Sequence, residues 1–105
     1  MIPESDIERA VNWLASSAVQ AAQARANREY LSEFRKTLKA QLMRERAELP
    51  IAAQEREAYA DDRYVAHLSA LRDAIEADER MRWLQVAAEA KVSAWQTQQR
   101  SLRTN

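Results

Sequence analysis

The one histidine of the chain, His67, is the first residue to consider for chemistry. A catalytic or metal-binding histidine needs partner groups within hydrogen-bond or ligand distance. Neither an HExxH nor an ExxH pattern accompanies His67, which lies beside apolar residues in the segment 65–68. We therefore interpret His67 as a surface or boundary residue rather than as a catalytic or metal-binding one.

Carboxylates are the second group of residues that could support chemistry. The densest group consists of Asp73, Glu76, Asp78 and Glu79. Metal sites in helical bundles combine inward-facing glutamates with histidines from several helices. No histidine accompanies this group, and three arginines lie close to it in sequence. We interpret the group as a solvated helix face with salt bridges, so we predict no metal site.

The composition excludes several classes of active site. The chain contains no glycine and no cysteine in 105 residues. Glycine-rich phosphate loops, dinucleotide-binding turns and nucleophile elbows all require glycine. Thiol nucleophiles, disulfides and zinc fingers require cysteine. The serines lack a plausible base, so we expect no enzyme, no catalytic residue and no cofactor.

A basic stretch offers a different kind of site, since lysines and arginines can bind nucleic-acid phosphates. Its members are Arg25, Arg28, Arg35, Lys36 and Lys39. Tyr30 and Phe34 lie between them and could stack on bases. The alternative, which we favour, is that both rings belong to the core and that the stretch pairs with acidic residues elsewhere.

Large apolar side chains indicate an interaction surface. Two tryptophans that are twelve residues apart cannot both face one neighbouring helix, and tryptophan is enriched at protein interfaces. The candidate interface residues are Trp13, Trp83, Trp95, Leu84 and Leu102. We expect at least one of these tryptophans to contact a partner or a second copy of the chain.

The elements that must position these residues are helices. Alanine, glutamate, arginine, leucine and glutamine dominate the composition, as in long helices. Ser5 and Glu8 form a predicted capping box, Pro50 interrupts the pattern, and Asp61 is a candidate N-cap. We predict one domain over residues 1–105. It comprises a helix over 6–48, a connector over 49–61 with a short helix, a helix over 62–100 and a frayed basic tail over 101–105.

Charge and apolar patterns indicate how these helices pack. The basic half of the first helix would lie beside the acidic half of the second in an antiparallel hairpin. Within each helix the apolar residues change face midway, near residues 24–29 and 78–80. A two-helix core is also thin. The sequence therefore predicts an all-α helical hairpin that assembles into a dimeric coiled coil or four-helix bundle.

Three stretches resemble small all-helical proteins of temperate phages and prophages. They are residues 30–43, residues 55–60 and residues 71–98, which together cover most of the chain. Genes of this group often lie in early regions, near recombination or replication functions. The resemblance implies a helical hairpin and an accessory role in phage DNA metabolism, and it assigns no functional residue.

These observations favour a non-catalytic helical protein-interaction module that acts as a phage accessory or adaptor protein. Direct nucleic-acid binding through the basic stretch and inhibition of a host protein remain the alternatives. The acidic N-terminal residues do not read as a secretory signal and no apolar run is long enough to span a membrane. We therefore expect a homodimer in the cytoplasm, without membrane contact.

Overall fold

The chain folds into helices joined by short turns. The computed structural model describes residues 1–104, and four helices make up this part of the chain. They are α1 (Glu4–Ser16), α2 (Ala18–Arg44), α3 (Ile51–Ala60) and α4 (Asp62–Thr104). The predicted all-helical class and the short connector helix are confirmed, whereas the first long helix is divided into α1 and α2.

The first helix starts earlier than predicted and without a capping box. Pro3 occupies the N-cap position, and no side chain caps the helix. The carbonyl of Pro3 accepts a hydrogen bond from the Asp6 amide at 3.0 Å. Ser5 therefore lies inside α1, so the predicted cap at Ser5 is wrong. Proline suits this boundary because its fixed φ is compatible with entry into a helix.

Ser17 separates α1 from α2. Its own amide still donates to the Trp13 carbonyl at 2.8 Å, so the chain turns without losing that bond. The hydroxyl of Ser16 donates to the carbonyl of Trp13, and that of Ser17 donates to the carbonyl of Leu14. Hydroxyls that bind carbonyls one turn earlier compete with the helical ladder and bend helices. The predicted single helix over 6–48 is therefore interrupted at this serine pair.

The corner between α2 and α4 is built by tight turns around Pro50. After Arg44 the Arg46 and Leu49 amides donate to carbonyls three residues earlier, so the chain has left the α-helical pattern before the proline. The side chain of Gln54 donates to the carbonyl of Leu49 at 2.8 Å. These bonds satisfy backbone groups that would otherwise be unpaired near Pro50. The helix α2 ends at Arg44 rather than at the predicted residue 48.

The N-cap predicted at Asp61 is confirmed. Its carboxylate accepts a hydrogen bond from the Arg63 amide at 2.9 Å, at the start of α4. From there α4 runs to Thr104, so the segment 101–104 is helical rather than frayed. The last residue of the predicted tail, Asn105, lies outside the described residues.

The described chain forms two compact units. The central unit comprises residues 24–78, and the terminal unit comprises residues 1–23 with residues 79–104. In the central unit, Leu42, Ala58 and Tyr64 form the buried core. Ion pairs join Arg28 to Asp78 and Glu45 to Arg63, so in this unit α2 and α4 run in opposite directions.

The terminal unit has much less buried surface. Within its described residues only Ile7 and Ser17 are buried, whereas Trp13 and Trp95 are partly exposed. The amide of Ile2 donates to the side-chain oxygen of Gln98, and Ile7 lies near Trp95. In this unit too, therefore, α1 and α4 run in opposite directions.

The shielded side of α4 follows one regular spacing. The less exposed residues on this inner side recur at alternating intervals of three and four: Tyr64, His67, Leu71, Ala74, Asp78, Met81, Gln85, Ala88, Val92 and Trp95. This is the heptad spacing of packed helices. The predicted change of face near residues 78–80 is therefore wrong. Leu68, Ile75 and Leu84 are apolar but exposed, whereas the polar residues Asp78 and Gln85 lie on the inner side, so apolar residues alone do not mark this side of α4.

Candidate protein-binding surface

The side of α4 opposite its shielded residues carries no charge between residues 83 and 97, and Glu79 and Arg80 border this stretch at its N-terminal end. We name this surface the outer face; its residues are Trp83, Val86, Ala87, Ala90, Ser93, Ala94 and Thr97. All seven are exposed. Trp83 is 63% exposed, and Val86 is 44% exposed. Leu84, beside this face, is 50% exposed.

Charge is distributed unevenly between the two units. The central unit contains 21 charged residues and the terminal unit contains 11. On the same side of α4 in the central unit, Arg72, Asp73 and Glu76 are exposed and charged. A helix surface that faces water is normally polar and charged. The outer face departs from this rule over four turns, as a surface that binds another protein does.

The predicted interface residues fall into two groups. Trp83, Leu84 and Leu102 are at least half exposed, as the predicted contact with a partner requires. Trp13 and Trp95 are partly buried and lie along α1, so they contribute to packing within the terminal unit. The structure therefore separates one exposed tryptophan from two that pack inside the unit.

Two shallow grooves run along the sides of α1. Asp6, Arg9 and Trp13 line one of them, with Lys91 of α4 and with Ala87, which borders both this groove and the outer face. The other lies between Ile7, Val11 and Trp95. These grooves show that α1 covers α4 incompletely. Apolar surface of the terminal unit therefore remains accessible beside α1 as well as on the outer face.

Sequence reasoning identified Trp83 and Leu84 but missed most of the outer face. Val86, Ala87, Ala90 and Ala94 were not among the predicted contact residues, because alanine carries no strong signal for an interface. The signal that was available is their spacing. Residues 83, 87, 90 and 94 recur at intervals of four, three and four, and no charged residue falls on this side of the helix between residues 83 and 97.

Most of the predicted nucleic-acid contacts are paired with carboxylates. Arg28 lies 3.2 Å from Asp78, and Lys39 lies 3.0 Å from Glu55. Arg25 pairs with Glu29, and Lys36 lies 3.6 Å from Glu33. Arg35 is exposed. Neither Arg28 nor Lys39 is fully exposed, so the five cations do not form one free phosphate-binding surface.

Lys39 is held in a mixed polar and aromatic site. Its ammonium lies 4.7 Å from the ring centre of Tyr59, a cation–π distance. Hydrogen bonds to Tyr59 and Glu55 raise the pKa of Lys39 above its ordinary value. Lys39 therefore stays charged and contributes to the contact between α2 and α3.

The two aromatic residues of the basic stretch differ in position. Tyr30 is exposed and stacks on Phe34 with ring centres 5.8 Å apart. Phe34 is partly buried and contacts the ring of His67 at 5.6 Å. The core position expected for both rings therefore holds only for Phe34.

His67 packs between helices. Its Nε2 lies 2.7 Å from the carbonyl oxygen of Leu31. A carbonyl can only accept, so Nε2 must donate and carries the proton in this contact. The contact joins α4 to α2 within the central unit. This packing contact accounts for the partly buried position of His67. That position agrees with the predicted surface or boundary location.

An ionic cluster surrounds the junction before α4. Arg63 donates to Asp61 and, through both terminal nitrogens, to Glu45 at 3.0 and 2.9 Å. Hydrogen bonds from the Arg63 side chain and amide lower the pKa of Asp61 to about 2. The Arg63 side chain also lowers the pKa of Glu45. This cluster connects the end of α2 to the start of α4.

Within residues 1–104, no group of three or more His, Cys, Asp or Glu side chains could hold a metal ion. None of the helices in this part of the chain is long and apolar enough to cross a membrane. Comparison with protein-family models, curated proteins and solved structures found no match.

Proposed function

We propose that the chain is a non-catalytic protein-interaction module, folded as an antiparallel helical hairpin, that binds its partner through the outer face of α4. The observation that carries this proposal is the seven-residue uncharged surface with Trp83 at its N-terminal end. Tryptophan is enriched among the residues that carry most of the binding energy of protein interfaces, so an exposed tryptophan at the end of an uncharged helix surface is a suitable anchor for a partner.

The difference in burial between the two units supports the same conclusion. The central unit buries Leu42, Ala58 and Tyr64 and carries 21 of the 32 charged residues, although Tyr30, Ile51 and Val65 are exposed there. The terminal unit buries little and exposes apolar side chains. A unit that leaves such surface in water gains free energy when a partner covers it.

The resemblance to small phage proteins suggests the biological setting. In that setting the chain serves as an accessory or adaptor in phage DNA recombination or replication, in the cytoplasm of the host cell. Protein binding ranks above nucleic-acid binding because Arg28 and Lys39 are engaged by Asp78 and Glu55.

Site-specific photo-crosslinking in cells tests this function. A benzophenone amino acid replaces Trp83 in one variant and Ser69 in a control, two heptads earlier on the same side of α4. We expect protein adducts of defined mass from position 83 only, and we expect Ala90→Glu to abolish them. Equal adducts from both positions, or none from position 83, would contradict the proposal.

A further inference from the structure

We propose that a second copy of this chain covers the outer face, with the two α4 helices packed side by side and antiparallel. This inference rests on the proposed function and names the partner of the same surface. Of the described residues in the terminal unit, only Ile7 and Ser17 are buried. A second copy would cover the apolar residues that this unit leaves exposed.

The spacing on the outer face matches a helix-pairing seam. Trp83, Ala87, Ala90 and Ala94 recur at intervals of four, three and four, the pattern that keeps one stripe against a neighbouring helix. Three of the four are alanines, which allow helix axes to approach to the short end of the usual range of about 8–10 Å. Thus α4 has two stripes with the spacing of packed helices. One is the shielded side, which packs against α1 in the terminal unit, and the other is the seam of the outer face.

Packing favours the antiparallel orientation. In a parallel pair, each seam residue would face its own copy, so Trp83 would meet Trp83 and Arg80 would meet Arg80. In an antiparallel pair with Ala87 facing Ala90, Trp83 instead faces Ala94 of the second copy. A large side chain then meets a small one, as close packing requires.

Charge selects the register of the antiparallel pair. With Ala87 facing Ala90, the positions that flank the seam bring Glu79 of each copy opposite Arg100 of the other. Two attractive pairs result from the two-fold symmetry. Moving one helix by a heptad in one direction would instead place Lys91 opposite Lys91, and moving it in the other direction would separate Glu79 from Arg100. The charges that border the outer face are therefore complementary to a second copy in one register.

Light scattering after size exclusion measures the association. We expect a mass of twice the 12.1 kDa of one chain at micromolar concentration. Trp83→Glu and Ala90→Glu should each give the single-chain mass with unchanged helical circular dichroism, because each places a charge inside the seam. Ser69→Glu, on the same side of α4 in the central unit, should leave the double mass unchanged. A wild-type monomer would overturn the inference.

Charge reversal tests the register. Glu79→Arg and Arg100→Glu should each weaken dimerisation about tenfold, because each creates two like-charge contacts. The double variant should recover wild-type affinity. The two residues lie about 31 Å apart along one helix, so recovery cannot arise within a chain. Failure of the double variant to recover would overturn the proposed pairing.

These outcomes distinguish a failure of the proposed self-pairing from a failure of the proposed function. If the pure protein is monomeric while the photoreactive residue at position 83 captures a different protein, self-pairing is wrong and the interaction module stands. If position 83 captures nothing, the proposed function itself fails.

Discussion

At the scale of single residues, Asp61 combines two stabilising roles. Its carboxylate caps α4 through the Arg63 amide and pairs with the Arg63 side chain at 3.0 Å. The same guanidinium reaches Glu45 at the end of α2. Through Arg63, Asp61 therefore couples the start of α4 to the turn that follows α2. The fold favours the ionised form of the Asp61 carboxylate.

Acid should weaken the fold through this carboxylate. Its pKa falls from 3.8 to about 2 on folding, so the stabilisation is complete above pH 3.8 and is lost as the pH falls toward 2. Asp61→Asn keeps the capping ability but removes the charge. We expect this variant to lose less stability than wild type between about pH 5 and about pH 2.5, measured by urea unfolding.

Asp73→Asn is the matched control, because Asp73 is exposed on α4 away from this cluster. It should retain the wild-type decrease in stability on acidification. If Asp61→Asn and Asp73→Asn show the same dependence on pH, the Asp61 interactions do not contribute as described.

Residue-level prediction from sequence succeeded where the signal was local. Asp61 was identified as a cap because an aspartate precedes a helical pattern. The pairing of Arg63 with Glu45 was not predicted, since it depends on how α2 and α4 meet. Ser5 matched a capping pattern, but Pro3 starts the helix earlier.

At the scale of helices, Leu42 connects three of them. It is 1% exposed, and it forms the core of the central unit with Ala58 of α3 and Tyr64 of α4. The rings of Tyr59 and Tyr64 also meet in a T-shaped arrangement, with their centres 5.2 Å apart. The corner around Pro50 is therefore held by packing as well as by the ionic cluster.

Removing this side chain should be costly. Leu42→Ala should lower the free energy of unfolding by about 2–5 kcal/mol, because it leaves a cavity that the helices cannot easily fill. Leu68→Ala, at an exposed position, should cost about 1 kcal/mol or less. Urea unfolding of both variants measures the difference. Equal losses would show that Leu42 is not the main packing residue of this corner.

The break at Ser17 gives a second prediction for the helices. Replacing both Ser16 and Ser17 with alanine removes the hydroxyls that bind the Trp13 and Leu14 carbonyls. We expect amide hydrogens of residues 17–21 to exchange more slowly, since alanine favours a continuous helix. Thr97→Ala removes a similar hydroxyl contact within α4 and should not change exchange in that segment. Faster exchange in the double variant would contradict this explanation of the break.

Sequence patterns predicted the helical class, the connector and the start of α4. They did not predict the division at Ser17, because serine is only a weak helix breaker and Pro50 is the stronger signal. The shielded side of α4 was also misassigned. Polar residues such as Asp78 and Gln85 occupy inner positions there, and Asp78 is stabilised by Arg28 across the helices.

At the scale of the whole molecule, the two units differ in how much they bury and how much charge they carry. The central unit has a small buried core and 21 of the 32 charged residues, whereas the terminal unit buries little and exposes Trp83, Leu84 and Val86. The prediction that surplus apolar surface implies a partner depended on the tryptophans. Identifying the surface itself required knowing which side of α4 packs against α1.

Distances between spin labels test the central claim most directly, since the chain has no cysteine of its own. Single cysteines replace Glu89, beside the outer face near the symmetry axis, and Ser101, toward the end of α4. In the antiparallel pair we expect about 20 Å between labels at position 89 and about 37 Å at position 101. Equal short distances at both positions would indicate parallel pairing. Either that result or the absence of any dipolar coupling between chains would contradict the account.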